Sequence, residues 1–254
     1  MEALLDWSLR MVEVIGPDIV EARAELNQLE TGTHPSQVIL DGLTSRQRLQ
    51  AFAADATAHG RALPGHPRRN SQEQPRINWS HLARMLQLPH PQVPPSLQPV
   101  IVDSGLQVDD GSPVGTITGL IDDRPWRERP LTTQELPGLV SHLSAACFVV
   151  ISYLSGMRPG EGLNLRRGCA HRDETTGQLL VAGRYGKGPA RTPRPTLGDD
   201  PWGRTWVVVR PVHQAITLLE QLTDAPFLFP SSLHKPHAIR DHFVGRMSPA
   251  FLRL

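Results

Sequence analysis

The run CFVVISYL (147–154) constrains this chain more than any other stretch. It closes a long apolar segment that starts near Thr132, and Thr132 with Glu135 has the spacing of a capping box for a helix over about 133–155. Gly156 stops that helix and Arg158 follows at once. Pro159 and Glu161 suit the first turn of another helix, with Leu163 and Leu165 expected inward. A cation is thus placed at the seam between two buried elements, which needs a reason.

The segments after the seam change period. Strands are expected over 168–173, LLVAGR (179–184) and RTWVVVR (204–210), with the turn residues Asp173–Gly177 joining the first two as a hairpin. A helix, VHQAITLLEQL (212–222), follows. The order helix, helix, three strands, helix gives a mainly α chain with a small antiparallel sheet, an α+β class.

The first half reads as short helices. Leu5, Leu9, Val12, Ile15, Ile19 and Leu26 keep mostly helical spacing, with a break expected at Gly16-Pro17. Thr44 or Ser45 can cap a helix burying Leu49, Phe52, Ala53 and Ala56; Asn78 can cap another over Trp79, Leu82, Met85 and Leu86. LPHPQVPPSLQP then reads as extended, opening a linker over about 89–125. The expected division is a helical domain, 1–125, and a second domain, 126–254.

Composition narrows the class. No run reaches about 18 uninterrupted apolar residues, which argues against a transmembrane span, and MEALLDWSLR lacks the order of a signal peptide. Two cysteines, Cys147 and Cys169, fit buried thiols in a reducing cytoplasm rather than a disulfide framework. With His142 and His171 they match no zinc spacing. Residues 1–125 hold 10 Arg against 15 Asp and Glu, whereas residues 126–254 hold 14 Arg and 2 Lys against 10 acids. The basic second half suits a polyanionic partner.

Lysine is scarce: Lys187 and Lys235 stand against 24 arginines. Lys187 sits in RYGKGPAR (184–191), between the second and third strands. An arginine could hold a phosphate there, but only a lysine readily gives up a proton as a general acid. A P-loop is excluded, since Gly186-Lys187 lacks the following Ser/Thr and the earlier glycine.

The string Y-L-S-G-M-R-P-G-E-G-L-N-L (153–165) resembles the first arginine box of the tyrosine recombinases, the phage-integrase family. Gly156, Met157, Arg158 and Glu161 fall on its positions. The resemblance covers about residues 131–230. It implies a core-binding-like N-terminal domain and a catalytic domain in which Arg158 clamps the scissile phosphate and Lys187 acts as proton donor. Glu161 would orient or balance Arg158, although a plain first-turn carboxylate is an equal alternative. Arg184, Arg191 and Arg194 are the expected DNA contacts. The implied partners are double-stranded DNA and other integrase subunits, at the nucleoid in the cytoplasm, with no metal or other cofactor and no small-molecule substrate.

The resemblance breaks after the third strand. The only tyrosines are Tyr153 and Tyr185, the first expected in the core and the second too early in the order to be a nucleophile. His237-Ala-Ile-Arg240 spells H-x-x-R but follows FLFPS too closely, and reads as coincidence. The expectation is a C-terminally truncated, catalytically incomplete recombinase. Two other readings stay open: a non-catalytic DNA-binding or integrase-partner module, and a helical scaffold whose Arg158 and Lys187 are surface accidents.

Overall fold

The computed structural model describes residues 2–34, 40, 42–68, 70, 72–184 and 203–233. It is mainly helical with small antiparallel sheets, as the α+β reading requires. The chain forms two compact units: residues 13–136, and residues 1–12 together with 137–254. The division therefore falls after Leu136 rather than near Trp126, and the first helix groups with the C-terminal residues.

In the N-terminal unit, Gly16-Pro17 does not break the helix. Helix α1 (Glu2–Arg10) runs through a π-helical segment (Met11–Ile15) into α2 (Gly16–Thr31). Pro17 has no N–H for the carbonyl four residues back, and the wider π turn before it absorbs the mismatch. The caps form as the sequence suggests. Thr44 and Gln47 make a full capping box on α3 (Ser45–Ala58), and the Asn78 side chain accepts from His81 N–H at 3.0 Å on α4 (Trp79–Met85).

The proline-rich stretch is not an extended linker. Pro95 opens a 3₁₀ turn (Pro95–Leu97) and Pro99 lies in the first turn of α5 (Gln98–Val102). Both prolines sit where a missing N–H costs nothing. Val93 and Ile101 join Leu49, Leu63, Leu82 and Leu86 in one core. Beyond it, β1 (Pro113–Val114) pairs with β4 (Leu131–Thr132), and β2 (Leu120–Ile121) with β3 (Arg124–Pro125). Asp122 and Asp123, both at positive φ, make the tight turn between β2 and β3.

In the C-terminal unit the apolar helix is α6 (Leu136–Ser155), starting three residues later than expected. The Thr132–Glu135 pair is made (hydroxyl to carboxylate, 2.8 Å) but precedes the helix. By length and composition α6 could cross a membrane, with a mean hydropathy of 1.6 over 18 residues. Leu143, Ala146, Cys147, Val150 and Ile151 on it are buried. Helix α7 (Pro159–Leu163) follows, then an antiparallel sheet in the order β5 (Ala170–Arg172), β6 (Leu179–Arg184), β7 (Gly203–Val208). The Asp173–Gly177 turn joins β5 to β6, with Asp173 accepting from Thr175 and Thr176 N–H at 2.8 and 2.9 Å. Those two bonds hold the Asp173 carboxyl below its ordinary range.

Helix α8 (Arg210–Leu222) packs on β5 and β6 and buries Val212, Ile216 and Leu219. Its Gln214 side chain donates to Val12 O at 3.3 Å, tying in the N-terminal helix. The Arg167 guanidinium donates to the carbonyls of Glu220 and Thr223 at the end of α8, and the Glu220 carboxylate accepts from Gly168 N–H at 2.7 Å. A cation thus closes the negative end of that helix.

Candidate functional site

The turn that presents Arg158 is built residue by residue. The Ser155 hydroxyl accepts from Met157 N–H at 3.1 Å, and Gly156 takes a left-handed conformation (φ 67°) open to a residue without Cβ. Met157 is buried and pins the turn. Arg158 then caps α7 in extended geometry (φ −68°, ψ 148°). The buried Glu161 carboxylate accepts from Arg158 N–H at 2.9 Å, while Arg158 O accepts from Glu161 N–H at 2.9 Å and Gly162 N–H at 3.1 Å. The backbone of Arg158 is held at both its donor and its acceptor, and the residue itself is exposed. Glu161 therefore acts on the backbone as the N3 member of a capping box, whatever else its second oxygen does.

Helix α7 leans on α6, since a Cβ on Gly162 would lie 3.7 Å from Phe148 and 3.8 Å from Ile151. Leu163 is exposed and Leu165 is buried, where both were expected inward. Two residues are about 200° apart on a helix, so both cannot face one side. The helix ends at Leu163, and Leu165 lies in the following segment, which runs beside 226–228. Leu228 N–H donates to Leu165 O at 3.0 Å and Arg167 N–H to Pro226 O at 3.1 Å. The Arg166 guanidinium lies 5.0 Å over the Phe227 ring.

Leu165 links this turn to the sheet. A Cβ on Gly183 would fall 3.2 Å from Leu165 Cδ2 and 3.1 Å from Trp206 Cζ3. The register sets Gly183 opposite Arg204 and Arg184 opposite Gly203. Strand alternation then puts Arg204, with Trp206 and Val208, on the face that Leu165 touches. Arg184 falls on the other face with the exposed Val207. The Arg204 guanidinium lies 5.1 Å over the Trp206 ring.

Of the site residues expected from the sequence, Arg158, Glu161 and Arg184 are described. Lys187, Arg191 and Arg194 lie outside the described residues, as do Tyr185, His237 and Arg240. Tyr153 is 47% exposed on α6, not in the core. An apolar helix this long shows one edge to solvent, and His142, Ala145 and Tyr153 lie on it. Cys147 and Cys169 are buried free thiols; burial pushes both up, Cys169 to about 12 with help from Glu220. Neither is a thiolate nucleophile at neutral pH. Among the described residues, no group of three or more His, Cys, Asp and Glu is placed to hold a metal.

The chain matches no protein-family model, no curated protein and no solved structure. An arginine with a fixed backbone can hold a phosphate by paired N–H donors without metal.

Proposed function

We propose that this chain binds double-stranded DNA through the face that presents Arg158, with a tyrosine-recombinase type of phosphate clamp and without completing strand cleavage. The observation that supports the reading most is the fixed Arg158 turn. A buried helix stops, its last turn is locked by Ser155 and Gly156, and the arginine backbone is tied to a buried glutamate. A guanidinium carried on a fixed backbone has less freedom to lose when it meets a phosphodiester.

Two further features point the same way. A three-stranded antiparallel sheet follows directly, and Lys187 falls in the connection between β6 and β7. In the recombinase family a lysine in that turn donates a proton to the leaving hydroxyl. Arg191 and Arg194 in the same connection add positive charge, so the reading counts them among the DNA contacts. Both tyrosines precede the third strand, which leaves the clamp without a nucleophile in the family's order.

Titration of a fluorescent duplex with the full chain over a range of salt concentrations tests the reading. Binding should weaken as salt rises, and Arg158→Ala should lower both the affinity and the salt slope, the latter by about 1. Binding that is absent at low salt, or insensitive to salt, would leave the scaffold reading in its place.

A further inference from the structure

We propose that Arg166, held on the ring of Phe227, is a second phosphate contact, so that the duplex gripped by Arg158 continues along the exposed side of α7. The proposal rests on the DNA-binding reading of Arg158. It adds a residue beyond the end of that helix, which the arginine-box resemblance does not supply.

The backbone fixes the pair. Leu228 N–H donates to Leu165 O at 3.0 Å and Arg167 N–H to Pro226 O at 3.1 Å, bracketing an antiparallel bridge between Arg166 and Phe227. With both bonds on the flanking residues, the two form a non-hydrogen-bonded pair, whose side chains share a side and approach closely. Leu165 and Leu228 are buried, so alternation turns Arg166 and Phe227 outward, and both are exposed, Phe227 by 40%. The Arg166 guanidinium then lies 5.0 Å over the ring. Stacking takes the flat face of a guanidinium and leaves its in-plane N–H donors, which a phosphate accepts in pairs. Among the described residues, no hydrogen bond or ion pair engages those donors, whereas neighbouring Arg167 is occupied by the carbonyls of Glu220 and Thr223. The carboxylates at that end are matched as well: Glu220 accepts from Gly168 N–H at 2.7 Å, and Asp224 lies 3.9 Å from Arg167.

The place of Arg166 relative to Arg158 follows from α7. Arg158 caps its start and Asn164 its end, a rise of about 9 Å. Glu161 and Gly162 are buried, while Arg158, Gly160, Leu163 and Asn164 are exposed. The two arginines thus stand at opposite ends of one exposed stretch. Successive phosphates of a strand advance about 3.4 Å along a duplex, so a stretch of that length passes about three of them. Arg158 and Arg166 take different phosphates, and the ring holds Arg166 ready by removing rotamer freedom that binding would otherwise cost.

The test compares variants of the full chain on one duplex across a salt series, with thermal unfolding measured in parallel. Arg166→Gln should weaken binding severalfold at low salt and reduce the salt slope by about 1, with little change in unfolding temperature. Combined with Arg158→Ala it should reduce the slope by about 2, as two separate phosphates require. Phe227→Leu keeps the charge and removes the ring, so it should keep the slope and lose part of the affinity. Arg10→Gln removes one charge from α1, where Arg10 pairs with Asp6 at 3.5 Å, and should bind as the parent does. If Arg166→Gln destabilises the fold, Arg166→Lys takes its place: the slope stays, but affinity falls severalfold because an ammonium cannot fork to a phosphate. The proposal is overturned if the Arg166 variant or Phe227→Leu keeps the parent's affinity, or if the double variant loses no more slope than Arg158→Ala. It is overturned equally if Arg10→Gln loses as much as Arg166→Gln. A slope that falls with Arg158→Ala and not with Arg166→Gln removes this inference alone and leaves the DNA reading standing. A parent chain without salt-dependent binding overturns both.

Discussion

Trp126 donates its indole N–H to the Asp18 carboxylate at 2.6 Å, across 108 residues of chain. The same fully buried carboxylate accepts from Thr118 N–H at 3.1 Å, Thr118 Oγ1 at 2.6 Å and Gly119 N–H at 3.1 Å. Asp18, Ala22 and Glu25 form one stripe of α2. A Cβ on Gly115 would meet Ala22 at 2.7 Å, and Glu25 accepts from Gly115 N–H at 2.6 Å. One helix face thus organises the whole 115–126 segment. Asp18→Ala strands these donors in a partly buried place and should cost about 2–4 kcal/mol. Trp126→Phe removes one donor and should cost about 1–2 kcal/mol. Urea unfolding followed by tryptophan fluorescence for the first variant, and by circular dichroism for both, checks the order.

His81 gives the N-terminal unit a sensitivity to acid. Its side chain is buried, Nδ1 has no hydrogen-bond partner, and its pKa is pushed down to about 4 by burial first and by Arg84 second. Below about pH 6.5 the unfolded chain takes up a proton that the folded chain refuses, so stability falls as pH drops. The loss accumulates between pH 6.5 and pH 4 and reaches about 3 kcal/mol. Above pH 6.5 the group contributes no slope. His81→Leu should flatten this part of the curve while leaving the carboxylate titrations, so the difference between the two proteins is the measurement. Parallel curves would refute the assignment.

Glu161 offers a test of whether the Arg158 backbone matters to binding. Glu161→Gln keeps an oxygen for Arg158 N–H, whereas Glu161→Ala leaves that N–H without it. The alanine variant should lose about 1 kcal/mol of stability, as a lost cap does. It should also lose more DNA affinity than the glutamine variant, whose turn stays in place. Equal affinities for the two would mean that the tie serves folding alone.

How far the sequence spoke for these features depended on the range of the interactions. The hairpin at Asp173–Gly177, the Asn78 cap and the Thr44 box are local chemistry, and they lie where residue types and spacing placed them. The Asp18 cluster is invisible in a linear reading, because its donors lie about a hundred residues away and Asp18 looks like any first-turn carboxylate. Proline misleads in a linear reading, because its effect depends on where in a helix it falls. At positions 95 and 99 it opens helices instead of forbidding them, and at 17 a π turn accommodates it. The arginine at the seam was legible as an anomaly, since Gly156 and Pro159 flank it. The face that Arg204 takes on β7 was not, because it can be assigned only after the register with Gly183 is known.

Transfer of a phosphodiester to a tyrosine needs the phenol oxygen to attack phosphorus, the 5′ oxygen to leave with a proton, and a 3′-phosphotyrosine to remain. Arg158 can stabilise the charge on the nonbridging oxygens, and a lysine can supply the proton, but neither supplies the nucleophile. Tyr153 is exposed on α6, five residues before the clamp, on the helix that the turn at Gly156 terminates. The chain folds back there, so a phenol on α6 precedes the arginine instead of arriving from a later element as the family's does. Incubation of the full chain with a nicked suicide duplex, which traps any covalent intermediate by losing the 5′ fragment, should yield no protein–DNA adduct. Tyr153→Phe should bind the same duplex with unchanged affinity and salt slope. An adduct that survives denaturation and disappears in Tyr153→Phe would make this chain a cleaving enzyme with its nucleophile in a new position, and the binding-only reading would fall.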